Sequence, residues 1–276
     1  MGDCRYCDKP AGLLRSVHKE CQAKHELGKS KIAIFVKKAA HDASVVKLLK
    51  TAVEDIAKKH LIRSSDVPAI VIEGYESAVD SVFEDGVLTE EEDSNLDEIQ
   101  KHFGFGQNDL DKNGAFTKLV KGAVLRELLN GKIPEKVNIK GNLPFNLQKD
   151  EKIVWVFQDV QYYEQKTRRH YEGGSQGVSI RVAKGLYFRT SGFRAHPVET
   201  TETVHVGTGI LAVTNKHLYF AAAAKSFRVP YKKIVSFGPY SDGIVIQRDA
   251  TTAKPQSFIT GDGWFTYNLV MNLSQL

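Results

Sequence analysis

Gly209-Ile210-Leu211-Ala212-Val213-Thr214-Asn215-Lys216-His217-Leu218-Tyr219-Phe220 reads as two short strands joined by an Asn-Lys turn. Branched and aromatic residues bounded by turn formers suit a pleated, half-buried surface. The same texture recurs at Ile153 to Phe157, Gln161 to Lys166, Val178 to Val182, Leu186 to Arg189, Ser226 to Val229, Lys233 to Phe237, Ile244 to Arg248 and Gln256 to Ile259, with Gly, Asn and Pro between the strands. Gly173-Gly174-Ser175-Gln176-Gly177 lacks the Lys-Ser/Thr of a phosphate-binding loop and reads as a hairpin turn. Closely spaced strands of this kind predict a small barrel or sandwich. At the end of the chain Asp262 can cap a helix in which Trp264, Phe265, Leu269 and Leu273 recur at helical spacing.

The opening stretch, followed by Lys225-Ser226-Phe227-Arg228-Val229-Pro230-Tyr231-Lys232-Lys233-Ile234 and Asp242-Gly243-Ile244, resembles the core hairpins of bacterial pleckstrin-homology-like (PH-like) and GRAM-like domains. The resemblance implies a PH-like β-barrel over residues 151–276, capped by the carboxy-terminal helix. It also implies a scaffold for lipid headgroups, peptides or neighbouring domains, without catalysis. Arg181, Lys184, Arg189 and Arg194 fall on adjacent expected strands and their turn, with Lys225 and Arg228 near in pattern. They are candidate contacts for an anionic headgroup or membrane surface, against the plainer reading of scattered surface charge.

Upstream, residues 131–150 show no sustained period and contain Pro134 and Pro144, which marks a connection. Before it the period is helical. Ile32, Phe35, Val36, Ala39 and Ala40, then Val45, Leu49, Val53 and Ile56, predict two helices between Ser30 and His60, broken near His41-Asp42. A further helix is expected from about Asp66 to Phe83, with Ser65 or Asp66 as cap and Pro68 in its first turn. Thr89-x-x-Glu92 reads as a capping box opening a helix with Leu96, Ile99 and Phe103 inside. After Gly104-Phe105-Gly106, a last helix carries Phe116, Leu119, Val120, Val124, Leu125, Leu128 and Leu129, ended by Gly131 and Pro134. Asp109-x-Asp111-x-Asn113-Gly114 imitates half a calcium loop, but Val120 stands where a bidentate Glu is needed, so these residues predict turn and cap chemistry. Phe83-Glu84-Asp85-Gly86-Val87-Leu88-Thr89-Glu90-Glu91-Glu92 resembles the turn and helix start of the TerB-like helical family. That resemblance implies an all-helical module associated with membranes or stress complexes.

All three cysteines lie in the first 21 residues, as Cys4-x2-Cys7 and, ten residues on, His18-x2-Cys21. An odd number of cysteines in so short a segment argues against disulfides and for a metal. Two closely spaced pairs of thiolate and imidazole ligands are what a tetrahedral zinc ion takes. Cys4, Cys7, His18 and Cys21 are therefore the expected ligands of a structural zinc. His25, at Cys21-x3-His25, is the competing fourth ligand. Arg5, Lys9, Arg15, Lys19 and Lys24 surround the knuckle and permit a nucleic-acid contact.

Charge follows the same three divisions. Residues 1–63 carry 14 Lys+Arg against 7 Asp+Glu, residues 64–150 carry 9 against 17, and residues 151–276 carry 15 against 9. The eleven carboxylates from Asp80 to Asp111 face only Lys101, and read as a solvated helical face. With 42% hydrophobic and 26% charged residues in 276, the composition is globular and excludes collagen-like, disulfide-scaffold and disordered classes. No apolar run reaches membrane-span length and no signal-peptide pattern is read, so a cytoplasmic protein, able to sit at a membrane's periphery, is expected.

The expected fold is an α+β multidomain chain, with a zinc knuckle over 1–27, an all-α domain over 28–133, a linker over 134–150 and the PH-like β-barrel over 151–276. No Gly-x-Ser-x-Gly elbow, His-Glu-x-x-His helix or dinucleotide fingerprint occurs. His196, His205 and His217, with Glu199 and Glu202 nearby, read as surface or half-buried strand residues. The functional expectation is a non-enzymatic zinc-binding adaptor or scaffold that recognises a protein partner or an anionic lipid, with no small-molecule substrate identified. The alternative is a nucleic-acid-binding regulator using the basic first 63 residues.

Overall fold

A computed structural model describes residues 2–12, 15–84, 88–134, 143–183, 186–250 and 252–276, the side chains of 167–201 excepted. The chain divides into two compact units, Met1–Lys136 and Val137–Leu276.

The first unit contains α1 (Lys19–His41), α2 (Ala43–Lys59), α3 (Val67–Val82), α4 (Glu90–Phe103), the short α5 (Gln107–Leu110) and α6 (Ala115–Leu129). A single non-helical residue, Asp42, separates α1 from α2. Asp42 leaves helical geometry, and its carboxylate accepts the Ser44 amide at 2.9 Å, so the residue that ends one helix starts the next. Helix α1 starts at Lys19, well before Ser30, because Lys19–Lys29 need only one buried stripe to continue the turn. Its buried face runs His25, Gly28, Ile32, Val36, Ala39, Ala40, a spacing of three and four. Gly28 is required there: a β-carbon would lie 2.4 Å from the Cβ of His60. His60 Nδ1 is 2.9 Å from the Lys24 carbonyl and binds the first half of α1 to the end of α2.

The core of this unit collects Ile32, Val36, Leu49, Val53, Val71, Tyr75, Val79, Leu96 and Ile99, all fully buried. Each contributes about 1.5–3 kcal/mol relative to exposure. Thr89 accepts the Glu92 amide at 3.2 Å while Glu92 accepts the Thr89 amide at 3.1 Å, so the expected capping box is formed. Helix α4 stops at Gly104, whose φ of 69° is left-handed. Asp109 accepts the Gly106 amide and Asp111 accepts the Thr117 amide, which is the cap chemistry expected of that acidic loop. The acidic run is not wholly a solvated face. Arg126 pairs with Asp93 at 2.7 Å in a half-buried position and Lys118 pairs with Asp80, so cations distant in sequence neutralise part of it.

The second unit is a seven-stranded antiparallel sheet in the order β4-β3-β2-β1-β7-β6-β5, followed by one helix. The strands are β1 (Ile153–Ala183), β2 (Leu186–Thr214), β3 (His217–Ala222), β4 (Ser226–Pro230), β5 (Ile234–Pro239), β6 (Gly243–Arg248) and β7 (Gln256–Ile259). Helix α7 is Gly263–Gln275, capped by Asp262 onto the Phe265 amide at 3.0 Å. Ten expected strands become seven because three gaps are bridged, two within β1 and one within β2. The interruption after Phe157 is a bulge, with Asp159 at φ 54° and a register shift between Phe157 and Val160. The expected turn at Gly173–Gly177 is instead paired backbone, Gly173 opposite Ala195 and Gly177 opposite Ser191. Glycine costs a strand only about 0.5–1 kcal/mol, which continuous pairing offsets. Pro197 stands in the same ribbon opposite Tyr171, beyond the residues of β2 that pair with β3.

One face of the sheet buries Val154, Phe157, Leu211, Leu218, Phe220, Ile244, Ile246 and Phe258, with Phe265 and Leu269 of α7. Trp155 meets Phe265 edge-on with centroids 4.8 Å apart. Trp264 departs from the expected apolar stripe and is 66% exposed. A polar cluster joins the start of β1 to the β2–β3 turn. The carboxylate of Glu151 accepts from Thr214 Oγ1 at 2.5 Å, Tyr219 Oη at 2.8 Å and the Gln148 amide at 2.8 Å, and lies 2.8 Å from His217 Nδ1. Burial opposes the charge, but these hydrogen bonds outweigh it and bring the Glu151 carboxyl down to about 2. His217 is thus buried, not a surface strand residue, because its ring is the donor that this carboxylate needs.

Candidate metal centre

The first residues fold back in a tight loop before α1 begins. Asp3 and Pro10 form an antiparallel bridge, and the Cys4 amide donates to the Lys9 carbonyl at 2.7 Å. The Asp8 amide returns to the Cys4 carbonyl at 2.9 Å, with Asp8 at φ 55°, so Cys4 and Cys7 point to the same side of one turn. The Arg5 amide donates to the Ser16 carbonyl and draws the second pair alongside. His18 is the N-cap residue of α1, in extended geometry, and Cys21 lies in its first turn.

The ligand atoms of Cys4, Cys7, His18 and Cys21 all lie within 4.8 Å of one another, close enough to hold one metal ion. His18 Nδ1 is 3.4 Å from Cys7 Sγ and 3.8 Å from Cys21 Sγ, and the His18 amide donates to Cys4 Sγ at 3.3 Å. The other ring nitrogen of His18 is 3.0 Å from the Pro10 carbonyl. A carbonyl can only accept, so Nε2 carries the proton and Nδ1 presents its lone pair to the sulfurs. The three cysteines form no disulfide. His25 stands apart from the quartet, its ring 4.5 Å from that of Tyr6.

Electrostatics distinguish the three thiols. Burial works to raise Cys4, yet the amides of His18, Tyr6 and Cys7 aimed at its sulfur bring it down to about 6. Burial, joined by the neighbouring Cys7 and Cys4, pushes Cys21 up to about 11. Three sulfurs this close do not readily all ionise without a cation between them, so a metal held here would take the place of protons.

No family model and no curated protein matches this sequence.

Around the quartet, a recess of about 550 Å³ is lined by Lys9, Arg15, Lys19 and Glu20 beside Cys7, His18 and Cys21. Arg63, which follows α2, donates to the Asp8 carboxylate at 2.8 Å and fastens the loop to the helices. Sequence spacing gave no hint of this long-range tie or of the Pro10 carbonyl behind His18. A proline-turn immediately after the first cysteine pair was the available signal for the latter.

The other expected site residues fare differently. Arg181, Arg189 and Arg194 fall in the paired backbone of β1 and β2, opposite Tyr187, Ser179 and Gly174. Their side chains lie outside the described residues, as does Lys184 entirely. Lys225 is not a free headgroup contact: its Nζ is 2.5 Å from Glu164 Oε1 and 5.9 Å from the Tyr162 ring centroid.

Proposed function

We propose that this chain is a non-enzymatic zinc-binding adaptor, in which a zinc-held knuckle and a helical unit are joined to a PH-like β unit that recognises a protein or an anionic lipid. The observation that carries it is the closed ligand set at the amino terminus. Zinc–sulfur bonds of about 2.3 Å and zinc–nitrogen bonds of about 2.0–2.1 Å give tetrahedral edges of about 3.6–3.8 Å. The 3.4 and 3.8 Å separations between His18 Nδ1 and its neighbouring sulfurs are close to these edges. Four protein ligands leave no position for a water or substrate, which is the mark of a structural ion. Soft thiolates with one imidazole favour zinc over magnesium, calcium or manganese.

The PH-like reading is supported by the antiparallel order β4-β3-β2-β1-β7-β6-β5 and by the single helix that follows it. A TerB-like reading of the helical unit draws on the Thr89–Glu92 capping box and the helices around it. A nucleic-acid regulator is the second reading, favoured by the Lys9, Arg15 and Lys19 side chains that line the recess beside the metal ligands.

One experiment separates the two. Zinc-loaded full-length protein is assayed at 50 and 200 mM salt against native lysate and against single- and double-stranded DNA and RNA. The adaptor reading expects a specific protein or lipid partner that survives 200 mM salt and is lost on removal of residues 137–276. Nucleic-acid affinity that falls by about 10³ or more over that salt range, with no such partner, would replace it by the second reading.

A further inference from the structure

We infer that the β unit holds a second binding site, a recess for a phosphate monoester between β4 and the end of β6. The recess has a volume of about 250 Å³, and Arg228, Lys233, Arg248, Asp249 and Thr252 contribute polar groups to its wall. Small-molecule sites run to about 300–1,000 Å³, so this space fits one compact headgroup and not a whole cofactor.

Three elements bring the cations together. Arg228 comes from β4, Lys233 ends the single 3-10 turn Tyr231–Lys233 that leads into β5, and Arg248 ends β6. The backbone fixes that turn, with the Tyr231 hydroxyl donating to the Thr214 carbonyl at 2.7 Å and the Asp249 amide donating to the Lys233 carbonyl at 2.8 Å. Arg228 stands opposite Tyr219 in the β3–β4 register, and the Tyr219 hydroxyl donates to the buried Glu151. Among the described residues, Lys233 and Arg248 form no ion pair. Three cations against the one carboxylate of Asp249 leave a local charge of +2. Such like charges repel one another unless an anion joins them. A phosphate monoester carries about −1.5 to −2 at neutral pH, more than a carboxylate's single charge, and offers oxygens to two arginine forks at once.

The site uses none of the ribbon residues Arg181, Lys184, Arg189 or Arg194. It rests on the reading of the β unit as a binding scaffold and names the chemistry that scaffold takes. The phosphate can belong to a soluble ester or to a lipid headgroup, and the two sources are distinguishable.

The test uses the full-length zinc-loaded protein. Arginine Nε–H signals are followed by NMR during titration with inorganic phosphate, with chloride at matched ionic strength as reference. Saturable shifts at Arg228 and Arg248 are expected, with affinity reduced about tenfold or more in Arg248→Gln and abolished in the Arg228→Gln, Arg248→Gln double variant. Both side chains are exposed, and an unchanged amide spectrum elsewhere shows that the fold persists. Flotation with phosphatidylcholine vesicles containing phosphatidic acid, against phosphatidylserine vesicles of equal surface charge, then assigns the source. Preference for phosphatidic acid that is lost in the double variant places the phosphate on a lipid, and phosphate binding without that preference places it on a soluble ester. No shift beyond the chloride reference, or equal affinity in the double variant, overturns the site. Loss of phosphate binding alone leaves partner capture by the β unit intact, so failure of the site and failure of the adaptor reading are told apart.

Discussion

Cys4, Cys7, His18 and Cys21 gather their ligand atoms from the first 21 residues, whereas Glu151 meets Thr214, His217 and Tyr219 across 63, 66 and 68 residues. Both clusters bring charge-bearing groups close together, and both tie down a chain entrance, of α1 in one unit and of β1 in the other. The difference lies in what compensates the charge. Thiolates crowded within 4.8 Å would be compensated by a cation bound from outside. The Glu151 carboxylate is satisfied by donors the fold itself supplies. The first unit's entrance should therefore depend on metal supply, and the second's on pH.

Replacing Cys4 and Cys7 together by serine gives the largest expected effect. Structural zinc is worth about 10–16 kcal/mol in small knuckles, so the amides of Cys4, Arg5, Asp8 and Ala11 should lose all protection from hydrogen exchange. Protection in α2 to α4 should remain, because Leu49, Val71 and Ile99 are buried without contribution from the knuckle. Protection that persists at Asp8 in the double variant would break the contrast with Glu151.

Next is Glu151→Ala, which strands the Thr214, Tyr219 and His217 donors. A loss of about 3 kcal/mol is expected in urea unfolding of the β unit, with the helical unit unaffected. A loss under 1 kcal/mol would show that the cluster is decoration.

The pH profile sharpens the same point. Because the folded Glu151 carboxyl titrates near 2, below its ordinary value of 4.5, its contribution is fully present above about 4.5 and is lost as pH falls towards 2. The urea midpoint of the β unit should fall by the equivalent of about 2 kcal/mol between pH 5 and pH 2.5, and Glu151→Gln should flatten that part of the profile. An unaltered slope in the variant would assign the acid sensitivity to other carboxylates.

How much of each cluster was legible follows from distance along the chain. The metal quartet could be read because its residue types are rare and its spacings short. The capping box at Thr89–Glu92 and the break at Asp42 were equally local, and the structure forms both. The Glu151 cluster was not legible, since Thr214, His217 and Tyr219 are ordinary strand residues until a carboxylate 63 or more positions away is folded onto them. The start of α1 was missed for a related reason: the first turns of the helix pack through Gly28 against His60, 32 positions away, and not through an apolar stripe. At Gly173–Gly177 the local signal pointed to a turn, and pairing with residues 191–195 overrode it.

The smallest effect belongs to a feature both local and metal-free. Thr89→Ala removes the acceptor for the Glu92 amide and should cost about 1 kcal/mol, read as a shift in the urea midpoint of the helical unit with metal content unchanged. A shift above 3 kcal/mol would mean that the cap also fixes the packing of α4.

The most direct test of the central claim is X-ray absorption at the metal edge on full-length protein purified without added metal, together with its metal content. The account predicts about one zinc per chain, with three sulfur neighbours near 2.3 Å and one nitrogen near 2.0 Å. Metal-free protein that keeps Asp8 protected from hydrogen exchange, or a metal surrounded by oxygen ligands, would contradict it.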